Sequence, residues 1–117
     1  MARFEHLPIY KKAFRFLVII EEIVMNMQKK SRYTLWADLR NISRNFVVSI
    51  ARINSMEIKD RKNYVVSMFD FINQIYILLW VAHELKLFQK STQYQMLFEQ
   101  IYDIERQLEW WKKTFIT

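Results

Sequence analysis

Two histidines, His6 and His83, and six serines at positions 31, 43, 49, 55, 67 and 91 are the side chains that could open a search for catalysis. Neither histidine has a second histidine or a carboxylate three or four residues away, so neither begins a metal set. Glu84 adjoins His83, but neighbours in sequence point to different sides of a helix. The Glu-x-x-His pair that di-metal bundles take from two helices is missing. The chain has no glycine, which excludes a Walker loop and a dinucleotide fingerprint. The serines lack the strand-turn-helix setting of a nucleophile elbow. Asp70, an acid among aromatics, would act as a general acid or base only in a cleft; the ordinary alternative is that it faces a seam and pairs with Arg or Tyr. These residues point to binding or assembly, without cofactor or metal, rather than to an enzyme.

Basic residues interleaved with aromatics carry the remaining chemistry. The net charge is +6 with a pI near 9.7, a balance that favours polyanionic partners. Residues 1–33 hold seven basic against three acidic residues and residues 91–117 three against four, which places the positive potential toward the first half of the chain. Lys11, Lys12, Arg15, Arg40, Arg44, Arg52, Arg61 and Lys62 are the candidate phosphate contacts, since neutralising phosphates supplies most of the affinity for nucleic acid. A solvated helix surface would show the same residues. Tyr76 and Trp80, four apart, could stack bases, or could anchor a protein interface with no nucleic acid involved.

The elements that must position these groups are helices. With no glycine and Pro8 the only proline, hairpins have little to be built from, and 117 residues make one domain with one core. Pro8 opens a first helix reaching about Gln28, with Ile9, Ala13, Phe16, Ile20, Ile23 and Met27 on its seam. Lys29 to Arg32 form a short link, and a second helix from near Tyr33 to near Ser55 buries Leu35, Leu39, Ile42, Phe46, Ile50 and Ile53. Trp36 is extra apolar surface on that helix. Met56 to Lys62 form a charged connector, with Asp60 the expected N-cap of the third helix, Asn63 to Leu87. The fourth helix starts at Ser91 or Thr92, where Thr92 and Gln95 fit a capping box. Its seam is Tyr94, Leu97, Ile101, Ile104, Leu108, Trp111 and Phe115.

The third helix sets the largest demand. Val65, Met68, Ile72, Ile75, Leu79 and Ala82 form its inward stripe, yet Ile75 to Val81 has no polar position except the Tyr76 hydroxyl. A bilayer is a poor cover, because Asp70, Asn73 and Gln74 interrupt the run and His83, Glu84 and Lys86 close it. A small bundle covers only the inward stripe and leaves Phe69, Phe71, Tyr76 and Trp80 partly wet. A second subunit is the expected cover, with these four and Trp36 as interface residues.

The order of features resembles the accessory variability determinant (Avd) proteins, four-helix bundles that accompany the reverse transcriptase of diversity-generating retroelements. The resemblance spans about Leu7 to Lys113. It is carried by Ile9-Tyr10-Lys11-Lys12-Ala13, Arg32-Tyr33-Thr34-Leu35, Leu78-Leu79-Trp80-Val81-Ala82-His83-Glu84-Leu85-Lys86 and Trp111-Lys112. Bundle proteins encoded in intervening sequences of large ribosomal RNA share the architecture. Trp36 and Trp110 stand where the family usually has glycine, and Tyr76 and Trp80 where it typically has two arginines. The resemblance implies a homopentameric barrel that binds the reverse transcriptase and its RNA or cDNA, without catalysis of its own. The sequence thus predicts an all-α, antiparallel up-down-up-down bundle over residues 1–117, forming a ring-like homo-oligomer. The absence of cysteine and of an apolar leader makes the cytoplasm the default location, away from any membrane.

Overall fold

A computed structural model of the chain describes residues 7–27, 35–88 and 90–114. Four α-helices account for most of them, and no strand occurs among the described residues. Helix α1 is Pro8–Met25, α2 Leu35–Arg52, α3 Ile58–Glu84 and α4 Ser91–Thr114; a 3₁₀ turn, Ile53–Ser55, joins α2 toward α3.

Local chemistry sets the ends. Pro8 occupies the first turn of α1 behind an extended Leu7, where its missing N–H costs nothing. That helix stops at Met25, short of the expected Gln28, and the Asn26 amide closes it on the Glu22 carbonyl at 3.1 Å. The expected link Lys29 to Arg32 and the start at Tyr33 lie outside the described residues, as does Phe115. Helix α3 starts five residues before the expected Asn63, taking in most of the connector. Glu57 holds its N-cap position, and Asp60 lies within the first turn, where its charge still meets the positive end of the helix dipole. Ser91 begins α4, with the Gln93 amide on the Lys90 carbonyl at 3.1 Å, so Thr92 belongs to the first turn and is not the cap.

Helix α3 ends in a Schellman motif built without glycine. The Leu87 amide reaches back to the Ala82 carbonyl at 2.9 Å and the Lys86 amide to the His83 carbonyl at 3.0 Å. Lys86 takes the left-handed conformation, φ 57°, that this closure requires.

Cross-helix contacts fix the topology. Phe69, Tyr76 and His83 along α3 meet Lys112, Glu105 and Tyr94 along α4, in reverse order. Phe46 meets Phe71 and Trp36 meets Phe88, so α2 and α3 also run antiparallel. Leu7 and Pro8 lie beside Trp110 and Trp111, while Lys12 faces Asp103. The four helices therefore alternate direction in a bundle of 45 × 24 × 20 Å, each packed chiefly on its two sequence-adjacent or terminal neighbours.

The core tests the seams one by one. All six residues of the α3 stripe are fully buried, as are Leu97, Ile101, Ile104 and Leu108 of α4. In α1 the buried residue of the last turn is Val24, with Ile23 and Met27 only partly covered. In α2 the stripe is turned: Trp36, Ser43, Val47 and Ser49 join Leu39, Phe46, Ile50 and Ile53, whereas Leu35 and Ile42 lie at its edge.

Candidate functional site

The antiparallel order gathers most of the candidate cations at one end of the bundle. Lys11, Lys12 and Arg15 lie in the first half of α1, Arg52 in the last turn of α2, and Arg61 and Lys62 in the early turns of α3. These segments share an end with the last turns of α4, which bring Arg106, Lys112 and Lys113 to it. The three α4 cations were missed by charge counting, because residues 91–117 are net acidic as a segment. Only the fold shows that their helix returns to the basic end.

Two candidates sit apart and are engaged. The Arg44 guanidinium grips Glu21 of α1 with two hydrogen bonds, one from Nη2 to Oε1 at 2.9 Å and one from Nε to Oε2. That bond raises the Arg44 pKa further above its already high ordinary value. Arg40 approaches the same carboxylate at 4.0 Å, and its Nε is buried without a hydrogen-bond partner. One acid thus offsets two cations. Lys12 is paired with Asp103 at 3.8 Å, and Arg61 donates to the Met56 carbonyl at 3.2 Å.

The five expected interface residues do not share one surface. Trp36 is in the core, 1% exposed and edge-on to Phe88, so it is not a surface anchor of this protomer. Phe71 is packed toward α2 against Phe46, with ring centroids 6.0 Å apart. Phe69, Tyr76 and Trp80 follow the α4 seam. There, Tyr76 and Trp80 both pack against Phe98, which leads through Tyr94 to His83 and Phe88. The Tyr76 hydroxyl donates to Glu105 at 2.9 Å; burial first, then this bond, push its pKa well above the ordinary phenol value. His83 stacks on Tyr94 at 4.1 Å, a ring contact rather than a ligand geometry.

Along α3, positions 66, 70, 73, 77, 80 and 81 fall on one side at 100° per residue, opposite the buried stripe. All are exposed, including Ile77 at 54% and Trp80 at 52%. Val66, Ile77, Trp80 and Val81 make this side apolar, and Asp70 and Asn73 interrupt it. Asp70 therefore faces outward, with no ion pair among the described residues, instead of closing a seam. By length and composition α3 is the one described helix apolar enough to cross a membrane, but exposed Asp70 and Asn73 lie on the side lipid would touch.

Open grooves flank the bundle. One, of about 380 Å³, runs between α2 and α3 past Asp38, Asn41, Ile42, Gln74, Ile77 and Leu78. Another, of about 690 Å³, lies between the start of α1 and the end of α4, where Trp110 and Trp111 meet Lys12 and Arg106. Among the described residues no cluster of His, Cys, Asp and Glu could hold a metal ion. No known protein-family model matches the chain, and no curated protein matches it significantly.

Proposed function

We propose that the protein is a non-enzymatic accessory protein of a diversity-generating retroelement reverse transcriptase. It acts as a ring-like homo-oligomer, a homopentamer by its resemblance to Avd proteins, offering a basic surface to RNA or cDNA and a docking face to the polymerase. The observation that carries this reading is the outer side of α3, where Val66, Ile77, Trp80 and Val81 stand exposed on a helix whose inward stripe is already filled. Apolar surface of this extent on a small bundle marks a protein interface. The cations at the end shared by α1, the α2–α3 junction and α4 support the nucleic-acid half of the reading.

A second reading is a structural bundle of the intervening-sequence type with no nucleic-acid role. Its support is Glu21, which ties up Arg40 and Arg44 inside the protomer.

RNA retention against salt separates the two. The first reading predicts binding that weakens linearly on a log–log salt plot, with a slope of about −0.7 per phosphate neutralised on single strands. Reversing Arg40 and Arg44 to Glu should weaken retention while leaving the helical signal intact. Failure of the wild-type protein to hold RNA at low salt would leave the structural bundle.

A further inference from the structure

The groove between α1 and α4 combines side chains that the assembly face lacks. Trp110 is 63% exposed, an unusual state for so large a ring, and Trp111 beside it is 8% exposed and continuous with the core. Lys12 enters from α1, and Asp103, Arg106 and the Gln107 carboxamide enter from α4, with the Asp103 carboxylate facing Lys12. Its volume, about 690 Å³, falls inside the ~300–1,000 Å³ range of small-molecule sites. The groove also opens at the cation-rich end, beside the helix turns that carry Lys11, Arg15 and Lys113.

We propose that this groove binds one nucleotide unit of a single strand, its base stacked on Trp110 and its phosphate held by Arg106 with help from Lys12. A flat indole takes the face of any base, and a carboxamide beside it can meet a base edge. The two cations suit the phosphate, and the surrounding ones suit its neighbours along the strand. The cations are unequal. Lys12 already offsets Asp103 at 3.8 Å, whereas Arg106 contacts the Tyr102 ring at 5.9 Å and makes no ion pair among the described residues. Arg106 is therefore the stronger phosphate partner. An aliphatic anion would use the charge but not the flat ring, and inorganic phosphate would use the cations and the Gln107 amide as donors but not the face of Trp110.

This inference rests on the nucleic-acid part of the proposed function, and one experiment separates them. The full chain is labelled with 5-fluorotryptophan, and the signals of its four tryptophans are assigned by single Trp→Phe variants. Adenosine monophosphate, a short oligoadenylate and inorganic phosphate are then titrated by fluorine NMR. Both nucleotide probes should shift the Trp110 signal, and phosphate alone should not. Trp110→Ala and Arg106→Gln should each weaken nucleotide binding about tenfold, with Lys12→Gln weaker in effect and helicity unchanged. If the oligonucleotide binds with Trp110 unmoved, or moves Trp80 instead, the groove assignment falls while the proposed function stands. If the mononucleotide shifts Trp110 but the strand is not bound, the function falls and the groove remains a nucleotide site. Binding of neither probe overturns both.

Discussion

Glu21 decides how much charge the α1–α2 seam can offer a polyanion. It holds Arg44 in a forked pair and draws in Arg40, yet the pair is at the surface, where such contacts contribute less than about 1 kcal/mol. Glu21→Gln should therefore leave thermal unfolding almost unchanged. By freeing two guanidinium groups it should tighten RNA binding and steepen the log–log salt slope by about 0.7 for each arginine that takes up a phosphate. Binding and slope unchanged in filter retention would remove Arg40 and Arg44 from the nucleic-acid surface. Tyr76 gives a test in pH. The folded state holds its hydroxyl proton more tightly than the unfolded chain, whose ordinary value is 10.0, so above that pH the unfolded state gives up its proton first and stability falls. Tyr76→Phe should lower stability at pH 7 by at most about 1 kcal/mol through the lost bond to Glu105, and this gap should narrow as pH rises beyond 10. A gap that stays constant in urea titrations would show that the shift is not coupled to folding. At this scale the sequence shows which residue types are present but not their partners: Glu21 and Arg44 are 23 positions apart, and no spacing rule joins them.

Helix α3 was readable from its sequence because its inward positions, Val65 to Ala82, recur at alternating steps of three and four without a break. All six expected residues are fully buried. Helix α2 was less readable. Leu35 and Ile42 compete with Trp36 and Val47 for the inward side, and hydropathy cannot rank them; the packing against α1 and α3 does. Ser43 and Ser49 escape a hydrophobic reading altogether, since what admits them is small size at a helix contact. The Asp60 cap failed for a local reason: α3 gains another turn from Ile58, so the acid falls inside the helix. Two variants of α3 separate its faces. Ile72→Ala should cost about 2–5 kcal/mol, because the side chain is enclosed and a cavity remains. Ile77→Ala should change the protomer's own stability by no more than about 0.5 kcal/mol. It should lower the unfolding midpoint only at concentrations where copies assemble, since association stabilises the folded state by mass action. Equal effects of the two variants at all concentrations would place Ile77 in the protomer's core.

For the molecule as a whole, the absence of glycine and the short expected links were enough to anticipate four alternating helices. The clustering of cations was not readable in the same way. The first-half surplus is real in sequence, but antiparallel return brings Arg106, Lys112 and Lys113 to the end where α1 starts and leaves Arg40 and Arg44 farther along the seam. The sequence marked Trp80 as partly wet, and it is 52% exposed, but it did not show that the fold would take in Trp36 or leave Ile77 exposed. The central claim is that further copies of the chain cover the outer side of α3. Sedimentation equilibrium at micromolar concentration tests it most directly. The account predicts a mass several times the 14.5 kDa of one chain, falling toward that value when Ile77 and Trp80 are both changed to Glu. A wild-type mass of 14.5 kDa across the concentration series would contradict it.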